Sequence, residues 1–534
     1  MWPRLRIDDV RAIVHYLGTL TIVVGVAMLV PLVVALACRE WNAAIAFTAS
    51  FGATLVMGGA MRLARPRRPG LTRMQALVIT GLAWVVGSLV AALPLVLSGA
   101  TGSYLDAVFD TTSYITNAGM SVLTHLGSLP ASVLLWRSIV VVIGAQGIVV
   151  VALGLGTISR FSGAGLLLAA EGHADRIMPQ MVATARFIVA FMSLLIAMGT
   201  AAVWVVLVAS CGLSPLPALL HAFNLSSSAI ATAGVTIMPA GMSYYHSPLL
   251  NVVVAVLCLV GAFSFALYYR MAQKGTREFF RDIETRAIIV WIVLILALLA
   301  IAFAHDGYFS DVATFFDKGV FNLFSAATSA GFSTLTSAQI GSVAGPGIVF
   351  GFVLAMSIGG ATSSTAGGIK AIRAALILKT FASEVRRSLL PGRARDVIRY
   401  HHLGDQVLTP DLSRNVMIVT LLYLISYTLG AVVGVAYGYD PISAALESVS
   451  CASNSGLSAG IVSASMPVGL KVCYLLQMLT GRLEFLTLVT TFASIGGSAL
   501  SVASGTRVAR ALRAAVPASL RRSWRGDGGK RGGR

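Results

Sequence analysis

Long runs of apolar residues, separated by short polar breaks, fill almost the whole chain. A helix crosses the hydrocarbon layer with roughly 20 mostly apolar residues, so about ten of these runs can act as spans. The pattern therefore predicts an all-α polytopic membrane protein with about ten transmembrane helices. The predicted spans are 13–38, 43–63, 75–98, 131–157, 183–211, 247–272, 287–305, 345–378, 413–438 and 466–500.

The composition agrees with this pattern and excludes other classes of protein. Of the 534 residues, 57% are hydrophobic and 11% are charged, and the mean hydropathy is +0.84. Such a chain is too apolar for a soluble enzyme or a disordered protein. The five cysteines are scattered without a C-x-x-C pair, so they predict neither a metal site nor a disulfide framework.

Basic residues concentrate in alternate connections between the predicted spans. The positive-inside rule makes these connections and both termini cytoplasmic, so we expect a multi-pass protein of the cytoplasmic (inner) membrane, in contact with lipid. The net charge of +18 implies no nucleic-acid partner here, because it is carried by juxtamembrane segments and a lipid-attracted tail. The basic segments are 62–73, 160–186, 270–286, 370–414 and the tail from 507.

Acidic residues show the opposite bias. In this topology the outer face carries the acids against two basic residues, Arg39 and Lys318. We expect this face to attract cations, and the alternative is that the acids are ordinary loop and cap residues. The acids are Glu40, Asp106, Asp110, Asp306, Asp311, Asp317, Asp440 and Glu447.

A fourfold repeat occupies the outer connections. Each connection holds an apolar segment too short to span the membrane, followed by a loop that ends in glycine. The short segments are 104–115, 216–230, 312–327 and 441–451. The loops are Thr116-Asn117-Ala118-Gly119, Ala231-Thr232-Ala233-Gly234, Thr328-Ser329-Ala330-Gly331 and Ser453-Asn454-Ser455-Gly456.

This repeat divides the chain into a two-helix extension, four span–short helix–loop–span units and a tail. Non-helical backbone is tolerated at membrane depth only where protein buries it or where it lines a watery cavity. Four such loops should therefore meet at one pore, where their carbonyls replace the hydration shell of a cation. The alternative is four unrelated helix ends, since glycine commonly ends helices. The divisions are 1–74, 75–160, 183–275, 287–385, 413–500 and 501–534.

A run of small residues interrupts the eighth predicted span. Gly359–Ala366 would make a poor helix, which favours a break. Small-residue helix packing is the alternative, and phosphate binding is disfavoured because the run lacks a G-K-[ST] ending. Arg482 lies within the last predicted span and should face the bundle interior. Arg137 is near a helix start, where it could cap or snorkel.

Three stretches of sequence resemble the Trk/Ktr/HKT superfamily of potassium transporters, and within it the bacterial Trk-type uptake subunit. The first resembles the W-R…I-G-G-x-G-I element, the second the G-G-x-x-G-S-T-A-G-G-I-K element and the third the M-L-x-G-R-L-E element of that superfamily. Departures at Ala145 and Ser363, and the start of the second loop at Ala231, leave the ion preference open. The stretches are Trp136-Arg137 with Ile143–Ile148, Gly359–Lys370 and Met478–Glu484.

The resemblance implies a potassium pathway in which the four loops form a selectivity filter with K⁺ at their residues and no other cofactor. It implies a homodimer and a separate cytoplasmic nucleotide-binding regulatory subunit. It also implies that 359–368 is an intramembrane gating loop with Arg482 below the filter. Because Lys370 and Arg373 follow at the inner end of this segment, we expect a cytoplasmic partner to pull on the helix through them. The gate residues are Gly359, Gly360, Thr362, Ser363, Ser364, Thr365, Gly367, Gly368 and Arg482.

Two alternatives stay open at this stage. Within the same fold, transport could be coupled to sodium or protons, as a symporter, or be less selective between K⁺ and Na⁺. An integral-membrane enzyme would need a cluster of acids or histidines at a membrane face. The pair His401-His402 lies in a basic connection, where we expect solvation rather than metal binding.

Overall fold

The computed structural model describes residues 5–66, 71–123, 125–147, 181–306, 314–342, 346–389, 397–485, 487–494 and 496. Several sequence expectations lie outside these residues. They are the basic tail 501–534, the end of the predicted span 131–157, most of the basic connection 160–186, the start of the short segment 312–327, and Asp311.

The N-terminal extension consists of Ile7–Ala27, Leu29–Ala37 and Trp41–Arg62. The first and third helices are in close contact because glycines face each other across the interface. A Cβ added to Gly58 would lie 2.9 Å from the carbonyl oxygen of Gly18. Small residues at such a crossing bring helix backbones together where lipid gives no hydrophobic drive for association.

Four units follow, each with a long helix, a short helix, a loop and a second helix. The first helices are Arg73–Ala91 with Leu93–Leu97, Met181–Ser210, Ile283–Asp306 and Pro410–Ala436. The short helices are Tyr104–Ile115, Pro215–Ile230, Phe321–Ala327, which continues a π-helix at Phe315–Val320, and Pro441–Ser453. The second helices are Ala131–Gln146, Pro248–Ala262, Pro346–Ser357 and Val468–Arg482. Further helices are Phe265–Lys274, Arg277–Arg281, Ser337–Ser342 and Ala371–Leu389, with 3₁₀ turns at Leu126–Ser128 and Gly241–Tyr245.

Apolar helices dominate the part of the chain that the structure describes. By length and composition, five helices are long and apolar enough to cross a membrane, or up to seven if each of two bent pairs of helices is counted as one span. The described strands are Arg399–His401 and Asp405–Val407, which pair antiparallel as a small hairpin in a basic connection. The sequence pattern did not predict this hairpin.

Two of the second helices are broken where the sequence predicted continuous spans. In the predicted span 247–272, the helix Pro248–Ala262 is followed by Phe265–Lys274 at 87°. The carbonyl of Ala262 accepts a hydrogen bond from the backbone N–H of Ala361 (2.9 Å), so it does not continue its own helix. In the predicted span 466–500, the helix ends at Arg482 and helical structure resumes at Thr487.

Glu40 links the N-terminal extension to the first unit. Its carboxylate accepts hydrogen bonds from the backbone N–H groups of Ala131 (2.8 Å) and Ser132 (3.1 Å), and from the Ser132 hydroxyl (2.5 Å). These N–H groups begin the helix Ala131–Gln146, so Glu40 acts as a helix cap supplied from a distant part of the chain. The expectation that Glu40 attracts cations is replaced by this structural role.

We expect Glu40→Ala to destabilise the protein by about 1–2 kcal/mol, because the first turn of the helix loses its acceptor. Thermal unfolding in detergent measures the effect. Glu384→Ala is the matched control, since its side chain is 66% exposed and caps no distant helix. Equal stability of the two variants would contradict the capping role of Glu40.

Candidate ion pathway

The four glycine loops, Thr116–Gly119, Ala231–Gly234, Thr328–Gly331 and Ser453–Gly456, form a closed ring. Each glycine packs against the backbone of the next loop in chain order, and the last packs against the first. A Cβ added to Gly119 would overlap the carbonyl oxygen of Ala233, and one added to Gly331 would overlap that of Ser455. The other two contacts run from Gly234 to the Ala330 carbonyl and from Gly456 to the Ala118 carbonyl.

All four loops adopt the same unusual backbone conformation. The glycines have φ of +73°, +61°, +75° and +97°. The residue two positions earlier also has a left-handed φ, between +49° and +60°, in Asn117, Thr232, Ser329 and Asn454. Left-handed backbone is costly for residues with a Cβ, so its recurrence in four loops marks a shared conformation and not four separate helix ends.

A serine six residues before each glycine holds the loop in place, and these serines were not among the predicted site residues. In every unit the serine carbonyl accepts a hydrogen bond from the residue just before the glycine, at 2.8 or 2.9 Å. Two of these serines also accept a loop N–H on the side chain: Ser228 from Val235 (2.6 Å) and Ser450 from Gly456 (3.0 Å). The serines are Ser113, Ser228, Ser325 and Ser450, all buried. The constant spacing from the glycine was visible in the sequence.

Buried side-chain oxygens accept hydrogen bonds from the backbone just after the glycine loops. In three units a residue nine positions before the glycine accepts the N–H three positions after it. The pairs are Asp110 with Val122 (2.8 Å), Asn322 with Thr334 (2.9 Å) and Glu447 with Ala459 (3.0 Å). The second unit places buried Leu225 and Ile237 at the same positions.

These contacts correct the expectation that the outer acids attract cations. Asp110 and Glu447 are fully buried and bind loop backbone. Asp106 pairs with Lys471 at 2.6 Å, a basic residue at the start of the last predicted span. Asp317 accepts a bond from Asn251 and Asp440 caps Pro441–Ser453. The cap-and-loop alternative therefore describes the acids whose side chains the structure defines.

The second helices pack against the loops of the ring and against the ends of the short helices. The side-chain amides of Asn117 and Asn454 donate to the carbonyls of Val141 and Met478, both at 3.0 Å. Glycines of these helices also press against the ends of the short helices. A Cβ on Gly144, Gly261 or Gly481 would overlap the carbonyl oxygen of Ile115, Ile230 or Ala452 respectively.

The third unit breaks this symmetry with the interrupted segment, residues 358–370, between the helices Pro346–Ser357 and Ala371–Leu389. The ends of the segment are held together, since the N–H of Gly359 donates to the carbonyl of Ile369 (3.0 Å) and Ala371 to that of Gly360 (3.1 Å). Between them the chain makes a buried excursion. The predicted break in the eighth span is therefore present as non-helical backbone.

The interrupted segment lies next to the ring and contacts three units. The Thr365 hydroxyl lies 2.8 Å from the carbonyl oxygen of Ile230, where the second short helix ends. A Cβ on Gly367 would overlap the carbonyl of Ser453 in the fourth loop. Thr362 donates from its N–H (2.8 Å) and its hydroxyl (2.9 Å) to Glu284 at the start of the third long helix.

Arg482 bridges the interrupted segment to the first unit. Its guanidinium donates to the carbonyls of Thr365 (2.6 Å) and Gly144 (3.1 Å), and it lies 5.5 Å from the ring centroid of Trp84. The Thr365 carbonyl belongs to backbone outside any helix and the Gly144 carbonyl to the last turn of the helix Ala131–Gln146. The arginine therefore supplies donors to carbonyls where helical hydrogen bonding is incomplete.

Three basic residues make contacts inside the protein. The Lys370 ammonium is buried and donates to the Ala366 carbonyl (2.5 Å), while Arg373 pairs with Glu484. The hypothesis that a cytoplasmic partner pulls on the helix through Lys370 and Arg373 stays a prediction. Arg137 neither caps nor snorkels. It is buried, donates to the Tyr114 hydroxyl (2.9 Å), and stacks on that ring.

Comparison with known proteins places this geometry in a family. A family model described as "TrkH: Cation transport protein" matches residues 43–502. An uncharacterized cation transporter of Methanocaldococcus jannaschii is 31% identical over 92% of this chain and 97% of its own length. The Trk system potassium uptake protein TrkH of Salmonella typhimurium is 29% identical over 90% and 98%.

A solved structure has the same architecture. The crystal structure of the potassium transporter TrkH from Vibrio parahaemolyticus has a TM-score of 0.76 and 25% identity to this chain, covering 90% of this chain and 97% of that one. The all-α polytopic fold predicted from the sequence is confirmed by this similarity.

We expect Glu447→Leu to destabilise the protein by about 2–3 kcal/mol, because three donors to the carboxylate are left buried without an acceptor. Those donors are the Ser458 hydroxyl and the N–H groups of Ala459 and Ile461. Thermal unfolding in detergent measures the loss, with the exposed Glu384→Leu as control.

The same site distinguishes a loop-holding role from cation attraction. Glu447→Gln retains one acceptor oxygen, so any rise in the half-saturation concentration for K⁺ should be the same at low and high ionic strength. A rise confined to low ionic strength would mean that Glu447 acts through long-range attraction of cations.

Proposed function

The chain belongs to the TrkH family of cation transport proteins, and from this premise we propose that it takes up potassium across the cytoplasmic membrane, with both termini in the cytoplasm. The family and its relatives are multi-pass membrane transporters, so the alternative of an integral-membrane enzyme is set aside. Relatives named as potassium uptake proteins support K⁺ as the transported ion.

The observation that carries the proposal is the closed ring of glycine loops. A cation that enters a narrow passage loses hydration, and carbonyl oxygens of several loops can replace the lost water. Among the described residues, the hydroxyls of Ser329, Ser453 and Ser455 are buried with no hydrogen-bond partner in the protein. Polar oxygens in such positions suit a ring that holds an ion or its water.

In this proposal the interrupted segment acts as the gate. It lies against the ring and is held by Arg482, Glu284 and the end of the second short helix. A break in the helix allows the segment to move without unfolding either flanking helix, as hinge residues do in other switching proteins. Arg482 would favour the closed position by donating to carbonyls that are costly to leave unpaired.

The proposal extends to assembly and to mechanism. We assign the protein to a homodimer that binds a cytoplasmic nucleotide-binding regulatory subunit on its basic face. Passive flow and coupling to sodium or protons are separated by the reversal potential for K⁺ measured under opposing Na⁺ or H⁺ gradients. A potential that follows the K⁺ gradient alone indicates a channel-like pathway.

We expect Gly331→Ser to reduce the K⁺/Na⁺ permeability ratio by about tenfold, equal to about 1.4 kcal/mol of discrimination. The added Cβ would overlap the Ser455 carbonyl and displace the ring oxygens. Flux into proteoliposomes measures the ratio. Gly438→Ser is the matched control, because Gly438 also has a positive φ (+90°) but has open space around it. An unchanged ratio in Gly331→Ser would overturn the assignment of the ring as filter.

We expect Arg482→Ala to raise K⁺ flux several-fold without a regulatory partner, while the K⁺/Na⁺ ratio stays that of the parent. The reason is that the carbonyls of Thr365 and Gly144 lose the donor that ties the segment in place. Arg414→Ala, at an exposed ion pair with Asp411, controls for loss of positive charge. Flux in proteoliposomes no faster than that of the parent, from a well-folded variant, would refute the gate assignment.

A further inference from the structure

A buried cluster of two carboxylates and an imidazole connects the hairpin to the interrupted segment. Asp282, Glu284 and His402 each offer one ligand atom, and these three atoms all lie within 4.8 Å of one another. All three residues are buried. The cluster lies at the start of the third long helix, and the ion pathway described above does not use its three residues as a group.

The basic connection predicts that His401-His402 are solvated, and for His402 this prediction is wrong because the residue is buried. His402 Nδ1 lies 3.1 Å from an Asp282 carboxylate oxygen. The same oxygen accepts the N–H of Leu403 (3.2 Å). The hairpin turn is thus fastened to Asp282 by two bonds, and this attachment carries the His402 ring into the interior.

The two carboxylate oxygens of Glu284 face different groups, one the interrupted segment and the other the cluster. Its Oε1 accepts both bonds from Thr362, at 2.8 and 2.9 Å. Its Oε2 is buried and makes no hydrogen bond within the described residues, with His402 Nδ1 at 3.8 Å. A buried carboxylate oxygen aimed at an imidazole, without a donor of its own, is the arrangement that a cation completes.

Asp282 is suited to the same ligand. One oxygen of its carboxylate, Oδ2, faces His402 Nδ1 within the cluster. Its second oxygen, Oδ1, accepts the N–H of Glu284 (2.9 Å), an interaction that would fix the orientation of the side chain as outer-shell bonds do in metal sites.

We propose that Asp282, Glu284 and His402 bind a divalent metal ion of the zinc type. Two carboxylate oxygens and one imidazole nitrogen match the mixed O/N ligands of such ions, and three protein ligands leave a position for water. Magnesium and calcium fit less well, because they prefer oxygen ligands throughout.

Metal binding at this cluster would act on the interrupted segment through Glu284. A metal draws Oε2 towards His402, and the rigid carboxylate then shifts Oε1, which holds Thr362. Occupancy would therefore change the balance between positions of the segment, by as much as the ion binds one position better than the other. This consequence for flux rests on the proposed function, whereas metal binding itself does not.

Equilibrium dialysis of the full chain in detergent against ZnCl₂, after alkylation of accessible cysteines, tests the site. We expect the parent to bind one zinc ion that Glu284→Gln and His402→Asn lose or bind at least about tenfold more weakly. His401→Asn is the matched control, because His401 contacts Glu278 and Asp405 outside the cluster. Equal zinc binding by all four proteins would overturn the proposal.

A second variant guards against loss of folding, and a flux measurement tests whether zinc binding affects transport. If His402→Asn does not fold, Glu284→Gln decides, since it keeps the shape of the side chain. In proteoliposomes, zinc should change the K⁺ flux of the parent at least about twofold but leave that of Glu284→Gln unchanged. Zinc binding without an effect on flux would refute the link to the segment. Absence of K⁺ flux in any condition would refute the proposed function, while dialysis still decides the metal site.

Discussion

Backbone that leaves a helix at membrane depth must find hydrogen-bond partners in the protein, and much of this structure meets that requirement. Serine carbonyls and buried acids take up the N–H groups of the glycine loops. Arg482 donates to carbonyls of the interrupted segment and of the first unit. Charged residues inside the bundle thus stabilise non-helical backbone, although burial of a charge in the membrane interior is by itself unfavourable.

The third unit departs from the fourfold pattern at the interrupted segment, because there, among the described residues, no glycine of a continuous second helix packs against the end of the short helix. In the other three units a helix glycine lies against the end of the short helix. In the third unit the helix stops at Ser357, and the segment instead contacts the second and fourth units. The segment in this position contacts the end of the second short helix and the loop of the fourth unit.

The sequence was informative where the physics is local or repeated. Apolar runs predicted the helices, glycine spacing predicted four units, and the motifs led to the family that the comparisons confirm. Long-range contacts could not be predicted in this way. Nothing in the sequence links Glu40 to Ala131, Arg373 to Glu484 or His402 to Asp282, because these partners are set by packing of distant segments. The serines before each glycine were within reach, since their spacing is constant.

The closed ring also constrains how the four units can diverge. Each glycine has no room for a side chain because of a carbonyl supplied by the next unit, so the contacts pass round the ring in a single direction. A change in the backbone before Gly234 is felt first at Gly119, and one before Gly456 at Gly331. Copies that arose from one ancestral unit would therefore have to evolve in step at these positions, while their outer helices remain free to accumulate differences independently.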